Sequence, residues 1–219
     1  MSIQPRAWLF VAGIAMAMLA AAAAAQTPAA PPRESFDDLY RRGQQANAGI
    51  RTLTADFTES TTSSLLTRPL VARGTLTVER PSRVILRYAE PERRVVLIDG
   101  NRLTMTWPSR KLRQETDIRR AQERVQRYFV DAGAAELRRE FDIEPRPDSE
   151  NPGAHEVTLR PKRRQIRETL ARLDLWVDPA TALLTSMRMT FANGDTKTMR
   201  FERVTMNPAL DADAFSVER

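Results

Sequence analysis

From Thr52 to Arg113 apolar and polar residues alternate with a period of two, interrupted at turn residues. That period places successive side chains on opposite faces of a strand, so it excludes long helices over this stretch. Leu53, Ala55 and Phe57 alternate with Thr54, Asp56 and Thr58. Within Gly74 to Pro108 the pattern predicts four short strands, with turns at Arg80-Pro81-Ser82, Glu90-Pro91-Glu92 and Asp99-Gly100-Asn101. Short strands at even spacing with no room for helices between them form an antiparallel meander. Further strands are predicted around Phe141–Ile143, Glu156–Arg160, Leu170–Val177, Leu183–Phe191 and Thr196–Met206. Asp178-Pro179-Ala180-Thr181 and Asn193-Gly194-Asp195 read as their hairpin turns.

Helical spacing occurs in three places. Ser35 with Asp38 forms a capping box in which Asp replaces the usual Glu or Gln, and Phe36, Leu39, Tyr40 and Ile50 follow on one stripe. Asp117 to Val130 predicts a second helix, with Ile118, Ala121, Val125, Tyr128 and Phe129 on one face and arginines on the other. A short third helix is predicted near Ala134 to Arg138, and Asp148 to Gly153 reads as a solvated loop. The sum is a mainly β chain: a single curved antiparallel sheet, an incomplete barrel, covered by two or three helices. The apolar faces either meet in a filled core or enclose a hydrophobic cavity.

The first 25 residues read as an address. A basic Arg6 precedes an apolar run from Ala7 that ends in Ala23-x-Ala25, the pattern of a secretory signal cleaved before Gln26. Residues 26–33 (QTPAAPPR) form a leader with too little apolar content to pack, and 34–219 form one domain of ordinary size. The chain has no cysteine, which removes disulfides, thiol nucleophiles and zinc–thiolate sites. The formal net charge is +6, almost all of it from arginine, because Lys111, Lys162 and Lys197 are the only lysines. The arginines are spread along every segment, which fits an Arg- and Ala-rich composition bias rather than nucleic-acid binding, and leaves the charge as at most an aid to attraction toward anionic membrane surfaces.

Reactive constellations are scarce. His155 is the single histidine, and it stands at a strand start. There is no Gly-rich phosphate loop, no GxSxG and no His–Glu metal pair. The expectation is a protein that is not an enzyme and that uses no metal and no cofactor.

The order of short motifs resembles the LolA family. The segment Ala55-Asp-Phe-Thr-Glu59 is followed by Gly74-Thr-Leu76-Thr-Val-Glu-Arg80-Pro81, then by Pro91, Asp99-Gly100 and Trp107-Pro108. Leu175-Trp176-Val177-Asp178-Pro179 and the closing Leu210-Asp211-Ala212-Asp213-Ala214-Phe215 complete the series, and the resemblance spans Phe36 to Val217. It implies a periplasmic chaperone of a Gram-negative cell, exported by a cleavable signal, that shelters the acyl chains of lipoproteins and shuttles them from the inner to the outer membrane. The implied partners are the acylated cargo, an inner-membrane release transporter and an outer-membrane acceptor lipoprotein, with the carrier itself a monomer. The implied cavity wall comprises Leu76, Val84, Leu86, Tyr88, Leu103, Met105, Trp107, Met187, Met189 and Phe191, with Val125 and Phe129 on the lid. Arg80 matches the family's arginine that holds the lid shut, and it shares inward parity with Leu76 and Val78. Val84 and Leu86 stand where the family often has aromatics. A paralogous carrier of another lipid or an acyl or polyene conjugate therefore stays open, as does an envelope regulator that senses lipoproteins.

Overall fold

The computed structural model describes residues 35–125, 133–146 and 153–217. The expected signal and leader, and Phe129, lie outside the described residues. Helix α1 (Phe36–Asn47) leads into β1 (Thr52–Thr62), β2 (Leu70–Glu79), β3 (Arg83–Glu90), β4 (Arg94–Asp99), β5 (Arg102–Trp107) and β6 (Leu112–Asp117). Two helices follow, α2 (Arg119–Val125) and α3 (Ala134–Glu140), and then β7 (Phe141–Arg146) and β8 (His155–Pro161). The short α4 (Arg164–Arg167) precedes β9 (Leu170–Val177), β10 (Leu184–Phe191) and β11 (Thr196–Met206).

All eleven strands belong to one antiparallel sheet in the order β6-β5-β4-β3-β2-β1-β11-β10-β9-β8-β7. The sheet curves without closing, leaving β6 and β7 as its edges. Those two edges are consecutive in the chain, so α2 and α3 lie on the connection from one edge to the other. The first and last strands pair at the centre, with Phe57 opposite Phe201 and Thr62 opposite Thr196.

Parity assigns the faces. Leu53, Ala55 and Phe57 of β1, Leu76 and Val78 of β2, and Val84 and Leu86 of β3 are all buried in one core. Met187, Met189 and Met199 complete it from the other half and have no exposed surface. Each such side chain removed from water contributes about 1.5–3 kcal/mol. Gly74 is required at its position because a Cβ there would collide with the Arg87 carbonyl and come within 2.8 Å of the Phe57 ring.

The two ends of the half-barrel differ. At one end α1 docks, capped by Ser35, whose hydroxyl accepts from the Asp38 N–H at 3.2 Å, with Phe36, Leu39 and Ile50 buried. The same end holds the Arg80-Pro81-Ser82 and Asp99-Gly100-Asn101 turns, where Gly100 N–H donates to Ser82 O at 3.1 Å. Helix α2 fastens there through Ile118 N–H to Asn101 O at 2.8 Å and Gln122 Nε2 to Gly100 O at 3.2 Å. This end is closed. The other end holds the 63–69, 91–93, 108–111 and 192–195 connections, together with the short α4 between β8 and β9 and the end of α3 that runs into Phe141.

One local expectation is corrected. Asp117 ends a strand instead of starting a helix, and its carboxylate accepts from Arg119 N–H at 2.8 Å, so the helix begins only after it. Leu112–Asp117 lacks apolar alternation because it is an edge strand exposed on nearly every residue. The closing motif packs outside the barrel: Arg87 donates to Ala214 O and Ser216 O at 3.0 and 2.9 Å, and Arg83 stacks 4.1 Å over Phe215.

Candidate functional site

The open end contains a cavity of about 1340 Å³. That is larger than the roughly 300–1,000 Å³ typical of sites for drug-sized ligands. Its walls come from the mouth-side ends of the strands. Ala72 and Leu70 are contributed by β2, Trp107 by β5, Leu112 by β6 and Phe191 by β10, with Leu65 and Leu66 from the β1–β2 loop. The remaining lining is polar and charged, including Glu59, Arg94 and Lys197 at the inner limit of the space.

These last residues form a belt across the barrel. Glu59 continues the inward parity of Leu53, Ala55 and Phe57, Arg94 that of Val96 and Ile98, and Lys197 that of Met199 and Phe201. Glu59 is 3 % exposed and Lys197 7 %. Lys197 Nζ donates to Glu59 Oε1 at 2.9 Å, Arg94 Nη2 reaches the same oxygen at 3.4 Å, and Tyr88 Oη donates to Glu59 Oε2 at 2.8 Å. The Arg94 guanidinium lies 3.8 Å over the Tyr88 ring, whose edge meets Phe57 at 4.9 Å between centroids. Four strands thus contribute to one network that separates the packed core from the cavity.

Burial decides the electrostatics of the belt. It pushes the Tyr88 phenol well above its usual range, and the Glu59 charge pushes the same way. Burial also lowers the Lys197 ammonium, against the opposing pull of Glu59. Two cations face one carboxylate, so the floor of the cavity carries a net positive charge. Hydrocarbon gains nothing from contact with such a floor, because it would displace water from charges without replacing their hydrogen bonds.

The expected wall residues divide into two groups. Trp107 and Phe191 stand on the cavity wall. Leu76, Val84, Leu86, Leu103, Met105, Met187 and Met189 are packed in the core below the belt, each exposed by 4 % or less. Tyr88 joins the belt itself. Arg80 lies at the closed end, half-buried in the β2–β3 turn, with its N–H donating to Arg51 O at 2.8 Å. Val125 ends α2, and its side chain, like Phe129, is outside the described residues. Glu59, Arg94 and Lys197 were absent from the sequence expectations; their inward parity was the available signal. Among the described residues no group of three or more His, Asp or Glu could hold a metal ion.

A family model described as "Outer membrane lipoprotein carrier protein LolA" matches residues 48–218. No protein of curated function matches the chain. Among solved structures, MucB superposes with a TM-score of 0.51 at 14 % identity, covering 83 % of this chain and 62 % of MucB. A LolA superfamily protein from Nitrosomonas europaea gives 0.43 at 12 % identity, covering 82 % of this chain and 96 % of that one. A putative outer membrane lipoprotein-sorting protein domain from Vibrio parahaemolyticus gives 0.41 at 10 % identity, covering 77 % and 91 %. At such identities the likeness is one of fold.

The belt generates two expectations. Lys197→Met leaves Glu59 buried beside a weaker partner and should cost about 3–5 kcal/mol in denaturant unfolding, whereas adding Glu59→Gln, which removes the charge but keeps an acceptor for Tyr88 and Arg94, should recover part of that loss. Equal or additive losses in the double variant would show that the two side chains do not act as a pair. The raised Tyr88 pKa means the folded state holds this proton where the unfolded chain, at a pKa of about 10, releases it. Stability is therefore full below pH 10 and falls as pH rises above it. Tyrosinate absorbance should show one phenol that ionises only with unfolding and that disappears in Tyr88→Phe; ionisation of every tyrosine in the folded protein would contradict the burial.

Proposed function

The chain belongs to the LolA family, and on that premise we propose that it is a periplasmic carrier that shelters acyl chains in the open-end cavity and moves a lipoprotein cargo from the inner to the outer membrane. The observation that carries this reading is the size and placement of the cavity: about 1340 Å³, reached from the strand ends, with Trp107, Phe191, Leu66 and Ala72 on its wall. Each methylene sheltered there contributes about 0.8 kcal/mol, so one long chain gains on the order of 10 kcal/mol. A carrier must also release what it holds. The charged floor limits how deep a chain can settle favourably, which keeps binding short of what the whole barrel could supply.

Arg80 belongs to this proposal as a latch. It stands beside the turns on which α2 is fastened, and its role is to hold the helical lid shut while the carrier is empty. Opening that end would cost charge-assisted hydrogen bonds of roughly 1.5–3 kcal/mol each. The family's transporter and acceptor partners, the monomeric state and the absence of catalysis are parts of the same reading. A second reading is favoured by one observation: Glu59, Arg94 and Lys197 at the floor suit a lipid conjugate with a polar group at its buried end better than bare hydrocarbon.

Native mass spectrometry of the protein taken from a periplasm under mild conditions should find an acylated passenger. A consistently empty protein would overturn both carrier readings, and the mass of the passenger chooses between them. Arg80→Leu, prepared in the same way, should keep its passenger when acceptor membranes are added, whereas release at the normal rate removes Arg80 from the mechanism.

A further inference from the structure

The described large apolar side chains that remain most exposed are Leu65 at 84 %, Leu70 at 48 %, Val71 at 43 % and Leu112 at 40 %. They are scattered in sequence over the β1–β2 loop, the start of β2 and the start of β6, yet Leu65, Leu70 and Leu112 all border the mouth of the cavity. A single exposed leucine needs no explanation, but three that border one opening do. Leu65 is held outward by its own turn, in which Leu66 N–H donates to Ser63 O at 3.0 Å and Leu65 N–H to Ser63 Oγ at 3.3 Å.

The same rim is basic. The three connections on this side of the mouth, 63–69, 91–93 and 108–111, carry Arg68, Arg93, Arg110 and Lys111 against the single acid Glu92. Glu92 is taken by Arg110, at 2.7 Å to Nε. Glu90 and Glu115, on the neighbouring strands, are likewise bonded to Arg73 at 3.1 Å and Arg113 at 2.7 Å. The excess is positive, and Arg68, Arg93 and Lys111 are all exposed. Glu168 and Asp195 lie among the cavity-lining residues outside this leucine-bearing side.

We infer that this rim is a membrane-docking surface, which inserts Leu65 and its neighbours into the surface of a bilayer containing anionic lipid while the surrounding arginines and Lys111 meet the headgroups. Apolar side chains ringed by cations, without a spanning segment, are the chemistry of peripheral binding at an anionic interface. A protein partner would call for acids or hydrogen-bonding groups matched one by one to the rim, whereas a fluid anionic surface needs only the excess of charge. Docking in this pose turns the cavity mouth toward the bilayer, so that an acyl chain moves between the two without crossing water. The docking surface rests on the rim residues; only this last step draws on the carrier reading.

Flotation of the full chain with vesicles of phosphatidylglycerol and phosphatidylcholine in equal parts tests the inference. The protein should float with these vesicles, float much less with phosphatidylcholine alone, and detach at about 1 M salt, where charges are screened beyond about 3 Å. Leu65→Ser, a change at a solvent-exposed position that leaves the unfolding transition in place, should weaken partitioning about tenfold. Arg68→Glu with Arg93→Glu should weaken it by at least about tenfold on anionic vesicles. Wild-type protein that stays in solution, or Leu65→Ser that floats equally well, overturns the docking surface. So does binding seen only when the vesicles carry outer-membrane protein, which would assign the rim to a protein partner. Passenger occupancy read on the same samples keeps the two readings apart: loaded protein that ignores vesicles overturns the docking surface and leaves the carrier reading standing.

Discussion

The ladder between β1 and β11 is the constraint on which the rest of the molecule depends. It joins the first strand of the chain to the last, from Leu53 opposite Met206 to Thr62 opposite Thr196. Without it, β1–β6 and β7–β11 would be two open meanders, each with an apolar face and nothing to cover it. With it, the two faces curve toward each other and share one core. The Glu59–Lys197 bond crosses this same ladder, at the level where the core stops. A long-range pairing of this kind is entropically costly to form, so contacts that exist only in the correct register have a large influence on which register survives.

The belt also explains why one barrel has two unlike ends. Inward residues between the closed end and Glu59 are apolar and interdigitate, and there the barrel is filled. Past Glu59 the inward positions become Thr61, Gln114, Phe191 and Trp107, which do not meet across the space. Glu59 accepts from Lys197, Arg94 and Tyr88 at this level, so the core ends on polar contacts and the space beyond is the one the proposed cargo would take. On the proposed reading, two properties that a purely apolar barrel would merge are separated: stability resides below the belt, and binding above it.

The sheet was largely readable from the chain because alternation and turn chemistry agree in it. Leu170–Val177 and Thr196–Met206 form strands over the residues their periodicity marks. Leu112–Asp117 and Arg164–Arg167 escaped because neither buries a face, and periodicity records only burial. The site was harder to read for a different reason. Parity tells that Leu86 or Met189 points inward, but whether an inward residue meets a neighbour or a void depends on side chains from strands far away in sequence. Glu59, Arg94 and Lys197 were passed over because a charged residue is ordinarily an exposed one. Their burial depends on finding each other across separations of up to 138 residues.

The central claim is that cargo occupies the space above the belt and stops there. An acyl probe bearing a diazirine at its terminal carbon, loaded into the protein and activated by light, reports this directly when the labelled peptides are sequenced by mass spectrometry. Labels on Leu66, Leu70, Ala72, Trp107 and Phe191 are the predicted result. Labels concentrated on Val84, Leu86 and Met187, below Glu59 and Lys197, would contradict it.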